Sequence, residues 1–170
     1  MAKRLTREMA DEAAEKLAAI AFDKKIQKAK DEMTKFGDEL IQKYIPAPIL
    51  ALGQEYASYF PDRSNYIQFT SETAPNYHYS SLPCTISNPI YRKVLVLKND
   101  DYKKGNDLKR RHEDLCNDRR KYERNVSDAL VQLKSEKRIT EQFPEALPFL
   151  HFCDTTALVP QFMELRAMLK

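Results

Sequence analysis

Residues 101–136 read DYKKGNDLKRRHEDLCNDRRKYERNVSDALVQLKSE. Apolar and near-apolar residues recur here at alternating steps of four and three, the spacing of a helix packed along another helix. We call this set the α3 stripe: Leu108, His112, Leu115, Arg119, Tyr122, Val126, Ala129 and Leu133. No proline interrupts it. The pattern therefore predicts one long helix over 101–136, with Asp100 or Asp101 as its cap.

A second long helix is predicted from Thr6, as N-cap, to about Tyr44. The same spacing recurs at Phe22, Ile26, Ala29, Met33, Phe36 and Leu40. Upstream, Met9, Ala13, Leu17 and Ile20 follow a different phase. That change predicts a stutter or bend near Ile20, in one kinked helix or between two helices. Pro46 and Pro48 should end this element, and Ile49–Phe60 should form a short helix closed by Pro61.

Residues 61–100 differ in character from both long helices. Strand-forming side chains occur at Tyr66, Phe69, Val94 and Val96, and a further candidate strand lies at residues 77–79. Turns are predicted at Pro75, Pro83 and Pro89. We therefore expect a small antiparallel sheet of two or three strands lying against the helices.

The predicted fold class is α+β and mostly helical: a long antiparallel helical hairpin with a small antiparallel β-sheet inserted between its arms. One domain should span 1–170, with a helical part at 1–60, a Tyr-rich small-sheet insertion at 61–100, the long helix at 101–136 and a Pro-punctuated segment at 137–170. In the last segment, Leu147, Phe149, Leu150 and Phe152 should pack on the helices, before a final helix at Gln161–Leu169.

Composition narrows the class of protein further. The 170 residues carry a net charge of +3, too small to argue nucleic-acid binding by itself. No apolar run approaches the roughly 20 residues of a membrane span. Acidic residues follow directly on the basic N-terminus, which argues against a signal peptide. The three cysteines are widely spaced and odd in number, so we expect reduced thiols in a cytosolic protein.

No catalytic, cofactor or metal site is predicted. Three His/Cys pairs are candidates for metal ligands or for a nucleophilic site: His112 with Cys116, His151 with Cys153, and His78 with Cys84. None has the grouping of a zinc site, and no local signature supports a Cys–His nucleophile. The favoured interpretation is that His112 lies in the α3 stripe and the cysteines fill the core.

Six of the nine tyrosines fall within 36 residues: Tyr56, Tyr59, Tyr66, Tyr77, Tyr79 and Tyr91. Tyrosine is favoured at recognition surfaces, because it gives a large contact area and a polar tip at little entropic cost. These rings could equally pack the sheet onto the helices. The segment is the best candidate for a partner-binding surface.

A basic side of the long helix is the nucleic-acid candidate: Lys103, Lys109, Arg110, Arg111, Arg120, Lys121 and Arg124. A phosphate-contacting face is one interpretation. The favoured one is a salt-bridged helix surface, because acidic residues such as Asp114, Asp118 and Glu123 interrupt the set.

Self-association is predicted through the same helix, by Leu108, His112, Leu115, Arg119, Tyr122 and Val126. A charged Arg119 buried in an apolar stripe is costly without a partner. Glu32 or Glu39 of the first helix could meet it within one chain, or two chains could pair across a two-fold axis. The second arrangement, a homodimer, is the prediction.

Two regions of the chain resemble a known family. The start, Arg4–Met9 before an Ala-rich helix, and the end, Ile139–Glu145 followed by Leu147–Leu150 and Leu158–Pro160, resemble small phage-encoded proteins of the fifth class of nucleotide-modification-associated domains. Members often carry Trp-Pro-Glu where this chain has Phe143-Pro144-Glu145. The resemblance covers about the first 25 and last 40 residues. It implies a bacteriophage origin and an accessory role.

The functional hypothesis is a non-enzymatic phage accessory protein that binds and inhibits a bacterial host protein, such as an antiviral defence complex or nuclease, in the host cytoplasm. The alternative is a nucleic-acid-binding or nucleotide-modification accessory protein. Pull-down of a host protein and salt-dependent DNA binding discriminate between the two.

Overall fold

The structure of the chain is a computed structural model, and it describes residues 5–56, 65–73, 79–86, 94–133 and 135–150, with side chains of α2 described up to Ala51. The elements in chain order are α1 (Arg7–Tyr44), α2 (Ala47–Tyr56), β1 (Tyr66–Ser71), β2 (Ser80–Pro83), β3 (Val94–Leu97), α3 (Asn99–Leu133), α4 (Glu136–Gln142) and a 3₁₀ helix (Pro144–Phe149). The predicted α+β class, with a long helix pair and a small inserted sheet, is confirmed.

The first long helix, α1, runs from Arg7 to Tyr44 as one element. Thr6 caps it as predicted, because its hydroxyl accepts a hydrogen bond from the Met9 N–H at 3.3 Å. The expected place of Ile20 in the buried stripe is wrong, since 61% of that residue is exposed. Small residues fill the buried line instead: Ala10, Ala13, Ala14 and Ala18.

The short helix α2 begins two residues earlier than predicted, at Ala47. Pro48 therefore lies in its first turn, where a missing N–H costs nothing because no intrahelical acceptor exists there. Pro46 precedes the helix, and its carbonyl accepts from the N–H groups of Ile49 and Leu50. The rest of the predicted helix, 57–60, lies outside the described residues.

The second long helix, α3, begins at Asn99, so the expected cap at Asp100 or Asp101 is wrong. The Asn99 N–H instead donates to the Glu72 carboxylate at 3.2 Å. The C-terminal part of the α3 stripe is also corrected: Ala129 is exposed and Leu130 is fully buried. A straight helix drifts about 20° per heptad from a 3.5-residue repeat, which moves the buried line by one residue over this length.

The two long helices run antiparallel along each other, as predicted. As residue numbers increase along α3, the numbers of the contacting residues on α1 decrease. The ion pairs Lys104–Glu39, Arg111–Glu32 and Arg119–Asp23 follow this order, at 3.6, 2.9 and 3.0 Å. The Ser127 hydroxyl, which donates to the Asp11 carboxylate, continues the series.

The sheet has three strands in the order β2-β1-β3. Strands β1 and β2 pair antiparallel, with Ile67 opposite Leu82. Strands β1 and β3 pair parallel, with Phe69 opposite Leu95. The sheet is therefore mixed, and the wholly antiparallel arrangement was a wrong expectation. The strand β2 spans Ser80–Pro83, so Pro83 ends a strand and does not mark a turn. Of the candidate strand at 77–79 the structure describes Tyr79 alone, and the predicted turns at Pro75 and Pro89 lie outside the described residues.

The chain forms two compact units, with bounds at 24/25 and 115/116 that fall inside both long helices. Unit 2, residues 25–115, contains the sheet. Its core is built from α1, the sheet and α3: Met33, Phe36, Leu40, Ile41, Ile45, Ile67, Phe69, Leu82, Cys84 and Leu97, with Leu108 packed against it.

Unit 1 comprises the chain before residue 25 and after residue 115. Its core joins the alanines of α1 to Val126 and Leu130 of α3, and Ile139, Ala146, Leu147 and Leu150 complete it. The predicted packing of Leu147 and Leu150 is thus confirmed, and Phe149 packs against the same cluster. Phe152 and the predicted helix at Gln161–Leu169 lie outside the described residues. In the described part of the chain, no helix is long and apolar enough to span a membrane.

Candidate partner-binding surface

The outer face of the sheet follows from the two-residue period of a strand. In β1, Ile67 and Phe69 are fully buried toward the core, whereas Tyr66 and Gln68 are exposed. Residues paired across neighbouring strands lie on the same side of the sheet, so the register assigns the residues of β2 and β3 to the core side or the outer side. We define the outer sheet face as the residues that share this side by register, with Tyr79 directly before β2 added at its edge: Tyr66, Gln68, Thr70, Tyr79, Ser81, Pro83, Val94 and Val96. Thr70 is buried, whereas Tyr66, Gln68, Tyr79 and Val96 are exposed.

Large side chains stand exposed on this face. The exposed fractions are 56% for Tyr66, 61% for Tyr79 and 53% for Val96. Of the described residues, only two other large hydrophobic side chains are exposed, Ile20 at 61% and Ile49 at 39%, and both are on helices. Single exposed hydrophobic residues are ordinary, but three on one small sheet form a patch of the kind that marks interaction sites.

The outer sheet face carries no charged residue among its eight members. Interface cores are depleted in charged residues and enriched in tyrosine, which matches this composition. A phosphate backbone, by contrast, is bound by lysine and arginine. The face is therefore suited to the apolar surface of another protein and unsuited to nucleic acid.

Two of the six predicted partner-binding tyrosines, Tyr66 and Tyr79, lie on this face. The side chain of Tyr56 and the whole of Tyr59, Tyr77 and Tyr91 lie outside the described residues. Sequence reasoning missed Val96, which was noted only as a strand former. The alternation of Val94 and Val96 with Leu95 and Leu97 was the available signal, but alternation alone does not tell which pair faces the core.

The basic candidates on α3 divide into two classes. Arg111 pairs with Glu32 at 2.9 Å. Within the described part of the chain, none of the other six makes an ion pair: Lys103, Lys109, Arg110, Arg120, Lys121 and Arg124. The expected ion pair is therefore seen at Arg111, and no ion pair of the other six is seen among the residues that the structure describes.

The self-association candidates face α1 of the same chain. In unit 2, Leu108 packs against the core. In unit 1, the Tyr122 ring lies 5.6 Å from that of Phe22. Half-buried Arg119 donates to Asp23 and to Glu123, each at 3.0 Å, so the suggested partners Glu32 and Glu39 were wrong. The homodimer stays a prediction. The argument for it from an unpaired charge on Arg119 no longer holds, because carboxylates of the same chain accept hydrogen bonds from this arginine.

Of the cysteine and histidine candidates, the structure describes Cys84, His112 and Cys116. The others, His78, His151 and Cys153, lie outside the described residues. No group of three or more His, Cys, Asp or Glu among the described residues could hold a metal ion. Burial, with a smaller contribution from the Asp38 charge, raises the pKa of Cys84 to about 12. That thiol is protonated near neutral pH, whereas a nucleophilic cysteine needs a lowered pKa.

A shallow depression of about 400 Å³ lies along α3 in unit 2. Its lining alternates in charge: Asp100, Lys103, Lys104, Asp107, Leu108 and Arg111. Lys104 and Arg111 are held by carboxylates of α1. Mixed, solvated charges of this kind typify an exposed helix surface rather than a ligand pocket.

Asp101 fixes the start of α3 to the end of α1. Its Oδ2 accepts from the Lys43 ammonium and the Tyr44 hydroxyl, both at 2.6 Å. The Tyr44 oxygen in turn accepts from the Lys98 N–H at 3.1 Å. The hydrogen bond from Lys43, and next that from Tyr44, lowers the pKa of Asp101.

Asp101→Asn should lower the free energy of unfolding at pH 7 by about 1–2 kcal/mol, a value reduced for the exposure of Lys43. Because the folded-state pKa of Asp101 is depressed, its contribution is present above the unfolded pKa near 4 and is lost as pH falls through the folded pKa. Urea unfolding at pH 7 and pH 2 checks this. Asp100→Asn, at the exposed neighbouring acid, is the control; equal losses for both variants would contradict the prediction.

Comparison with family models, with curated proteins and with solved structures finds no match to this chain.

Proposed function

We propose that the chain is a non-enzymatic binding protein that docks on a bacterial host protein through its outer sheet face and inhibits that protein. The observation that carries this proposal is the exposure of Tyr66, Tyr79 and Val96 together on an uncharged sheet surface. The phage origin implied by the resemblance of the two chain ends supports an anti-defence role in the host cytoplasm, with a defence complex or nuclease as the target.

The outer sheet face is too small to form a whole protein–protein interface by itself. Three strands spaced at about 4.8 Å, with up to six residues at about 3.3 Å each, give a surface on the order of 200–300 Å². A stable complex buries about 800 Å² on each partner. The outer sheet face would therefore form the apolar core of the interface, and flanking segments would supply the rim.

The test is capture of host proteins by the full chain, compared between variants. Buried tyrosine anchors contribute about 2 kcal/mol or more each, so Tyr66→Ser with Tyr79→Ser should weaken binding of the captured protein by at least about 100-fold. The matched control is Ile20→Ser, which removes an equally exposed apolar side chain from α1. It should bind as the wild type does.

Two outcomes would end the proposal. One is undiminished capture of the same protein by the double tyrosine variant. The other is nucleotide turnover by the chain without capture of any protein. The measurement that quantifies either is affinity by calorimetry against the captured protein, after circular dichroism has established that the variants fold.

The alternative, a nucleic-acid-binding or nucleotide-modification accessory role, has its support on α3. There, Lys103, Arg110 and Arg124 are exposed and make no ion pair with any residue that the structure describes. Absence of DNA binding at low salt would exclude this alternative.

A further inference from the structure

About two turns of α3 within unit 1 present a compact basic surface. Asn117, Arg120, Lys121 and Arg124 occur at steps of three, one and three residues, so they share one side of the helix. All four are exposed. The side that packs on α1 in this unit, with Arg119, Tyr122 and Val126, points the opposite way. We call these four residues the basic ridge.

Of the three carboxylates that α3 carries within unit 1, two are engaged elsewhere. Glu123 accepts from Arg119 at 3.0 Å, and Asp128 pairs with Arg7 at 3.1 Å. Asp118 is one turn from Lys121, yet the two come no closer than 4 Å within this described helix. Within the unit-1 part of α3, the three cations of the ridge are therefore accompanied by one carboxylate without an ion pair, Asp118.

The surroundings of the ridge identify the class of ligand. From residue 116 to 133, the exposed side chains of α3 are polar or charged except for Ala129. A membrane-binding helix needs large apolar side chains beside its basic ones, and this stretch exposes none. Arginine, lysine and asparagine are the side chains that donate to phosphate oxygens in protein–DNA complexes.

Dimensions agree with a phosphate backbone. The ends of the ridge, Asn117 and Arg124, are seven residue steps apart, about 10.5 Å at 1.5 Å per residue. One strand of duplex DNA carries a phosphate every 3.4 Å of helix axis, so the ridge can reach about three of them. We propose that the basic ridge is a second binding surface of this protein, which contacts the phosphate backbone of duplex DNA without reading its sequence.

Salt dependence tests the proposal on the full chain. Each neutralised phosphate contributes about −0.9 to the slope of log affinity against log salt, so three contacts predict a slope near −2.7. Affinity for a labelled 20-base-pair duplex should then fall about 300-fold between 25 and 200 mM salt. Fluorescence anisotropy measures this.

Variants assign the binding to the ridge. Arg120→Gln or Arg124→Gln should each reduce the slope by about 1, which leaves a fall of about 40-fold over the same salt range. Arg138→Gln, an exposed arginine on α4 of the same unit, is the matched control and should keep the wild-type slope. The Tyr66→Ser, Tyr79→Ser variant should also bind DNA normally, because its substitutions lie on the sheet.

Three results would overturn the proposal: no binding at 25 mM salt, a slope that Arg120→Gln and Arg124→Gln leave unchanged, or equal binding to anionic phospholipid vesicles with the same variant dependence. Failure here leaves the protein-docking proposal standing, since loss of host-protein capture depends on the tyrosines and not on the ridge.

Discussion

Phe69→Ala is expected to lower the free energy of unfolding of the chain by about 3–5 kcal/mol. Phe69 is fully buried in β1, the central strand of the sheet. Its ring meets Tyr102 edge-on, with centroids 6.0 Å apart. Removing the ring loses the free energy gained when the ring leaves water. It also removes the ring's contacts with neighbouring side chains, which cannot close the cavity because two other strands and α3 fix their positions.

Urea unfolding followed by circular dichroism measures the loss. Gln68→Ala is the control, because Gln68 is adjacent on β1 but points to the solvent side. It should change stability by no more than about 0.5 kcal/mol. A loss below about 1 kcal/mol for Phe69→Ala would contradict the close packing of the ring.

Helix-forming segments were predictable because their signal is local. The steps of four and three on α1 and α3 need no knowledge of tertiary structure. The errors arose where the signal depends on something distant. Ile20 has the right spacing from Leu17 but lies on the solvent side, because the buried line of α1 in unit 1 runs through Ala10, Ala14 and Ala18 instead.

The sheet shows the limit of local signals more clearly. Strand positions near Tyr66 and Val94 were predicted from residue type, but the parallel pairing of β1 with β3 was not. The direction of pairing depends on the path of the chain of more than 20 residues that connects β1 to β3. The residue types within the two strands do not determine that path. The short strands favoured the antiparallel expectation only as the commoner arrangement.

The candidate surfaces were predictable in part for the same reason. Clustered tyrosines pointed to Tyr66 and Tyr79 by composition alone. The charge state of the α3 surface was not predictable, because the partners of Arg111 and Arg119 are Glu32 and Asp23, 79 and 96 residues away along the chain. Which cations stay exposed without an ion pair is therefore a tertiary property.

Gly37 is a second place where local and tertiary effects oppose each other. Helix propensity alone predicts that Gly37→Ala would stabilise α1 by about 1 kcal/mol. A Cβ at this position, however, would lie 2.2 Å from the Pro83 carbonyl oxygen. Real Cβ atoms do not approach an oxygen so closely, so the β2 backbone or the helix would have to move.

The backbone beyond β2 is held in ways that resist such a movement. The Cys84 N–H donates to the Asn65 carbonyl at 2.9 Å. The Asp38 carboxylate accepts from the N–H groups of Thr85 and Ile86 at 2.7 and 2.9 Å. A retreat of the strand would stretch these hydrogen bonds, including two to a charged acceptor, which are the stronger kind.

Gly37→Ala should therefore lower the free energy of unfolding by about 2–3 kcal/mol, because overpacking against backbone outweighs the gain in helix propensity. For a chain of this length, the melting temperature should fall by roughly 5–10 °C. Gly105→Ala on α3 is the matched control: its Cβ would meet only side chains, the nearest being the Phe69 ring with Cζ at 3.0 Å. A ring can shift by a few tenths of an ångström, so Gly105→Ala should stay within about 1 kcal/mol of the wild type. Thermal unfolding of both variants decides the sign: a rise in melting temperature for Gly37→Ala would show that propensity, not the contact with Pro83, governs this position.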